Sequence, residues 1–278
     1  MLRPFVLCLA AACFLLIPKL NLYSQAATSP ESFAQEFKIL TEVFTAQSTS
    51  PVSINETIFL KGLVYDFRYA SNSHSPLEVS IYQPQKRSFV LLDYAKQQRL
   101  ELDSLQLIRI VEGMKTDINS HDQMKPVFMD DFVAQNDIEN YQVSVSNNFV
   151  TYSAVGQRPK NDSMLNGYFQ FLDQFTLVGA TNPHALPPFP RMQLNREIKK
   201  IGFIPTQINL EIKPNDFRPT GLTAHSTHRL VGSLDASDVK KTKTAHQDWL
   251  TFKRIELAEY RQIKKLANSQ SDQAIKNK

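Results

Sequence analysis

From Phe59 to Tyr69 the chain takes on a period of two. Phe59, Leu63, Tyr65, Phe67 and Tyr69 alternate with Leu60, Gly62, Val64, Asp66 and Arg68. Side chains two positions apart share one face of a β-strand, whereas a helix repeats at three and four. The spacing therefore predicts one long strand with an aromatic face, and such a strand needs neighbours to pair with. They follow at once. Leu77, Val79 and Ile81 alternate with Glu78, Ser80 and Tyr82, and Gln83-Pro84-Gln85-Lys86 reads as a turn. Ser88 to Leu92 is apolar on both faces, Asp93 to Gln97 turns again, and Arg99 to Leu102 forms a short strand. Strands joined in sequence by tight turns make an antiparallel meander.

Helical spacing frames this meander. Phe33, Phe37, Leu40, Val43 and Phe44 predict a helix from Ser32 to Gln47. Asp103 or Ser104 caps a helix to about Ser120, with Leu107, Ile110, Val111, Met114 and Ile118 as its stripe. A short helix is expected around Phe128 and Phe132. A hairpin follows from Tyr141, Val143 and Val145 through Asn147-Asn148 to Phe149–Val155, and then a helix from Ser163 to Leu177. Beyond Pro187-Pro188-Phe189-Pro190-Arg191 come a short helix (Met192 to Ile201), a strand carrying Ile208, Leu210 and Ile212, and a strand from Leu222 to Leu234. Asp235 starts a final helix with Trp249, Phe252, Ile255, Tyr260 and Ile263 inward. Strands in runs rather than in alternation with helices give an α+β fold with an antiparallel sheet.

The chain opens with the pattern of a cleavable leader. Arg3 precedes the apolar run Phe5–Ile17, Pro18 ends it, and Ser24-Gln25-Ala26 offers small residues for cleavage near Ala26. The run is too short for a comfortable membrane span. The expected organisation is a signal peptide over 1–26, one domain over 27–267 and a disordered basic tail over 268–278, in a periplasmic or secreted protein. Both cysteines, Cys8 and Cys13, fall inside the leader, so the mature chain has no disulfide or thiolate to use. Loss of Arg3 and Lys19 with the leader lowers the formal charge of +4 by two. That leaves no basic field for nucleic acid.

No catalytic signature stands out. Gly-rich phosphate loops, a Gly-x-Ser-x-Gly elbow and a His-Glu-x-x-His pair are all missing from the sequence. His225 and His228, three apart on a strand, would point to opposite faces and chelate poorly; they read as exposed strand residues. Asp130-Asp131 reads as the solvated side of a short helix. No catalytic residue, metal ligand or cofactor is assigned. The aromatic strand face admits two readings: core packed on a helix, or the concave wall of a cavity for an apolar ligand.

Three segments carry a family resemblance: Gly62-Leu63-Val64-Tyr65-Asp66-Phe67, Leu77-Glu78-Val79-Ser80-Ile81-Tyr82-Gln83-Pro84 and Phe89-Val90-Leu91-Leu92-Asp93. With the exported start and the inserted helices, the pattern resembles the lipoprotein-carrier fold of LolA and LolB over residues 32–235. The stretch from Tyr168 to Ile212 is also similar to exported proteins of planctomycete-type bacteria. The carrier resemblance implies a curved antiparallel sheet, an incomplete β-barrel, packed on inserted helices around an apolar cavity. The cavity wall is then expected from Phe59, Leu63, Tyr65, Phe67, Tyr69, Val79, Ile81, Val143, Val145, Ile208 and Leu210. The expected function is a non-enzymatic carrier for an acyl chain, lipid or acylated protein, with an envelope protein as a possible partner. A filled-core envelope scaffold or interaction protein is the first alternative, and a hydrolase built from distant residues is the second.

Overall fold

The computed structural model describes residues 35–46, 48–159, 161–182 and 185–260. The expected leader and tail, Ile263 and His184 lie outside the described residues. Twelve strands among those described form one sheet. In chain order they are β1 (Phe37–Thr45), β2 (Ser53–Leu60), β3 (Leu63–Tyr69), β4 (Glu78–Gln83), β5 (Ser88–Asp93), β6 (Gln98–Asp103), β7 (Val133–Asp137), β8 (Gln142–Ser146), β9 (Val150–Gln157), β10 (Ile204–Ile212), β11 (Leu222–Val231) and β12 (Lys253–Arg254). The helices are α1 (Ser104–Asn119), α2 (Lys125–Phe128), α3 (Asp162–Gly179), α4 (Phe189–Ile201) and α5 (Ala236–Thr251). Across the sheet the order is β12-β6-β5-β4-β3-β2-β1-β11-β10-β9-β8-β7. Two antiparallel meanders are thus joined where β1 pairs with β11, and only β12 runs parallel to its neighbour. The sheet is curved and stays open: this is the expected α+β fold with an incomplete barrel and inserted helices.

Four elements differ from the sequence expectation. The short helix expected over residues 124–135 stops at Phe128, and Val133 opens strand β7, which pairs with β8. The helix expected over Ser32–Gln47 is replaced from Phe37 by strand β1. Its Thr41, Val43, Phe44 and Thr45 are β-branched or aromatic, and the segment pairs on both sides, with β2 and with β11. Two full ladders outweigh a weak helical spacing. The single long strand over Phe59–Tyr69 is instead a hairpin. Lys61 and Gly62 both adopt positive φ, 51° and 76°, the geometry of a two-residue hairpin turn. Leu60 then pairs with Leu63, so the parity of the alternation inverts at the turn. The final helix ends at Thr251, because Phe252 is extended and β12 adds to the edge of β6. A helical turn resumes at 257–260.

Register sorts the side chains onto two faces. The inner face carries α1 to α4. Phe37, Phe59, Val64, Tyr82, Phe89, Leu91, Leu100 and Leu102 form one cluster there with Leu107 and Val111 of α1, with Tyr168, Phe171 and Leu172 of α3, and with Ile204 at the start of β10. The sheet thereby wraps around α3. The outer face of β2 to β5 is also apolar: Ile58, Tyr65, Phe67, Val79, Ile81, Val90 and Leu92 lie under Ala245 and Trp249 of α5. This double cover explains why Ser88–Leu92 has no polar face, as in any strand buried on both sides. Beyond β1 the outer face carries Gln135, Ser144, Ser153, Asn209 and Thr227, and the ordinary polar-out alternation returns.

Candidate functional site

The residues expected to line one cavity wall fall on two faces. Phe59, Val143, Val145, Ile208 and Leu210 point inward, where Phe59 stacks on Phe37 at 4.1 Å and meets Phe171 edge-on at 5.8 Å. Leu63, Tyr65, Phe67, Tyr69, Val79 and Ile81 belong to the outer face under α5. The cause is the Lys61–Gly62 turn, which gives Phe59 the face of Val64 and puts Tyr65 opposite Ile58. The apolar wall on the inner side is therefore built from Phe59, Val64, Tyr82, Phe89, Leu91, Leu100 and Leu102.

This wall is covered by α1 and α3. Helix α1 begins at a capping box: Asp103 accepts from the Gln106 backbone N–H at 2.7 Å, and the Gln106 side chain accepts from the Asp103 N–H at 2.9 Å. Of its stripe only Leu107, Val111 and Ile118 are buried. Leu105 and Ile108 on its other side are 66% and 46% exposed. Ser104 Oγ bonds to Gln174 of α3 at 2.9 Å and to the Arg87 carbonyl at 2.7 Å. Helix α1 is thus a thin cover, tied to the rest of the inner layer by a short apolar stripe and one hydroxyl.

Where the apolar clusters of the two sheet halves meet, the inner face turns polar. Arg191, in the first turn of α4, donates from Nε to Asn195 Oδ1 at 2.9 Å. Asn195, fully buried, donates to Thr176 Oγ1 of α3 at 3.0 Å. Arg191 makes no ion pair among the described residues. On β11, His228 has both ring nitrogens engaged, Nδ1 3.0 Å from Thr41 Oγ1 and Nε2 2.9 Å from Ser226 Oγ. Burial, aided by the Arg191 charge, pushes the His228 imidazole down to about 3. Burial pushes the Tyr168 phenol up to about 12 and raises that of Tyr152, with Arg191 opposing both shifts. His228 is therefore not the exposed strand residue that its sequence suggested. His225 does point the other way, stacked on Phe44 at 4.7 Å.

The Ser226–His228–Thr41 chain has the outline of an activated hydroxyl, but its chemistry does not suit one. An imidazole held neutral down to about pH 3 is a poor proton acceptor at neutral pH. Ser226 sits mid-strand in a segment paired with both β1 and β10. Its neighbouring backbone N–H groups are committed to ladders and none is left to stabilise an oxyanion. We read the chain as a way of satisfying polar groups on a strand that faces inward.

Two concavities mark the outer side. One of about 660 Å³ lies between α5 and strands β1, β2 and β11, bordered by Leu40, Glu42, Ile54, Glu56, Tyr69 and Lys241. Two of its charges neutralise each other: Lys241 Nζ lies 2.5 Å from Glu56 Oε2, and Tyr69 donates to the same carboxylate at 3.2 Å. The other, about 420 Å³, is a polar hollow over β7 to β10 with Gln135, Asp137 and Asn209. Among the described residues no three His, Cys, Asp or Glu side chains group as a metal site, and no helix is long and apolar enough to cross a membrane. Asp130 and Asp131 are exposed.

The Arg191 cluster was the part of the site that sequence reasoning missed. Its one local signal is the four-residue spacing of Arg191 and Asn195, which puts both on one side of a helix. No protein-family model matches the sequence, and no curated protein matches it either.

Proposed function

We propose that this protein is a non-catalytic binding or carrier protein, acting outside the cytoplasm, for a ligand with an acyl chain. The chain enters between the inner sheet face and α1. The observation that carries this reading is the imbalance between that face and its cover. The face is a continuous apolar surface from Phe59 to Leu102; α3 covers part of it, and α1 covers the rest with two buried side chains, Leu107 and Val111. Lifting them out costs on the order of 3–6 kcal/mol, at about 1.5–3 kcal/mol for each buried aliphatic side chain. An acyl chain of about a dozen methylenes recovers roughly 10 kcal/mol at about 0.8 kcal/mol each. Association entropy takes part of that gain, so exchange of helix for ligand lies near balance, and reversible loading is what a carrier needs.

The test is to lock the cover. In a Cys8→Ser, Cys13→Ser background, Ser104→Cys and Gln174→Cys place thiols on α1 and α3, at side chains that touch. Before cross-linking with a short bismaleimide the protein should bind a dansyl-labelled fatty acid, and afterwards it should not. Native mass spectrometry of protein purified from its own envelope should show acyl species at about one per chain. A protein that binds no fatty acid, or that binds it equally well when locked, would turn the reading to an interaction protein with a filled core.

A further inference from the structure

The apolar face explains why an acyl chain would bind but says nothing of what the chain is attached to. The polar seam does. Arg191 is half-buried on the inner side, and a guanidinium carries five donors. Only Nε is used, on Asn195. The two terminal nitrogens have no hydrogen-bond partner among the described residues, yet neither is sealed from solvent. The polar groups it engages are neutral: Asn195 directly and Thr176 through Asn195, while its charge reaches His228, Tyr168 and Tyr152, which burial keeps uncharged. The carboxylates of this region are committed elsewhere. Asp173 pairs with Lys199, and Glu197 pairs with Lys200 at 2.7 Å and accepts from Asn136 at 3.0 Å.

A cation taken part-way out of water is costly unless an anion meets it. Here the fold holds the guanidinium in place through a fully buried asparagine and withholds a carboxylate partner. Apolar surface adjoins it on both sides. Met192 and Phe175 lead to the cluster under α1, while Leu194 and Ile208 lead to the cluster under α4.

We propose that Arg191 recognises the anionic headgroup, carboxylate or phosphate, of the amphiphile bound by this protein. The ligand class is then an acidic lipid or fatty acid rather than a neutral one. The fork of terminal nitrogens donates to two oxygens side by side. The inference rests on the acyl-binding reading given above.

The experiment compares dansyl-labelled undecanoic acid with its methyl ester, by fluorescence titration against the full chain. The acid should bind at least roughly tenfold tighter than the ester, the size expected for one charge-assisted contact. Arg191→Gln should remove that preference while leaving ester affinity in place, and Arg191→Lys should restore part of it. The wild-type comparison needs no variant and stands even if Arg191→Gln fails to fold. Equal binding of acid and ester overturns the headgroup assignment and spares the acyl reading. Absence of binding by either probe overturns the acyl reading itself. Inorganic phosphate bound as tightly as the acid, in an Arg191-dependent way, overturns the amphiphile in favour of a free anion.

Discussion

Two titratable residues, buried Asp66 and half-buried His228, carry opposite pH signatures. His228 is held at about 3, against an ordinary 6.5, first by burial and then by Arg191. A depressed folded value means that its stabilising contribution is intact above about pH 6.5 and is lost as pH falls from there towards 3. At about pH 5 the loss reaches roughly 2 kcal/mol. Asp66 behaves the other way. Burial lifts its carboxyl to about 6, although Thr57 and Asn55 donate to it at 2.6 and 2.8 Å. Its contribution is full below about pH 3.8 and is lost as pH rises through about 6, a total of roughly 3 kcal/mol. Between about pH 4 and 6 the two slopes offset each other in the wild type. Urea denaturation across that window should therefore show stability falling with acid in Asp66→Asn and falling with alkali in His228→Gln. Two variants that both lose stability with acid would contradict the Asp66 assignment, and two that both lose it with alkali would contradict that of His228.

At the scale of the element, the joints rather than the strands are sensitive. Gly156 on β9 passes under Phe203, and a Cβ added there would lie 2.3 Å from a ring carbon and 2.3 Å from the Ile204 carbonyl oxygen. The β9–β10 pair is already irregular between Pro205 and Gln207, so the backbone has little room to yield. Gly156→Ala should cost about 1–3 kcal/mol, read as a fall in thermal midpoint, and an unchanged midpoint would mean that the ring moves freely. Asp103→Ala removes the α1 cap and should cost about 1 kcal/mol. If α1 is the cover, the same variant should also speed fatty-acid association in stopped-flow measurements. Slower or unchanged entry would argue that the ligand takes another route.

Over the whole molecule, α1, α3 and α5 share strands β2 to β6 and sandwich them from two sides. Helix α5 is fastened by Lys38 to Asp238 at 2.8 Å, by Tyr94 to Asp248 at 2.6 Å and by Arg99 to the Trp249 carbonyl. Because inner and outer layers rest on the same strands, they should unfold together. Trp249 is the only tryptophan, so its fluorescence reports the outer layer while far-UV circular dichroism reports the sheet. The two transitions should coincide in urea. Ala245→Asp, at a fully buried position under α5, should lower both equally, by more than about 3 kcal/mol. A tryptophan transition that precedes the other would make α5 a separable layer.

Local pattern alone determined the α+β class, the β4–β5–β6 meander, the β8–β9 hairpin and the caps at Asp103 and Asp235. Each rests on residues close together in the chain, where period and capping chemistry act directly. Only the tertiary structure decided that Phe37–Thr45 is a strand, since its second partner, β11, lies far along the sequence. The same holds for the two faces of the expected cavity wall. The Lys61–Gly62 turn lacks the Asn-Gly signature that announces a tight hairpin, and one unrecognised turn exchanges the face of every side chain beyond it. The Arg191 cluster lay furthest from view. Thr41, Thr176, Arg191, Ser226 and His228 come from four elements, and a sequence records neither which side chains meet nor which charge the fold leaves without a partner.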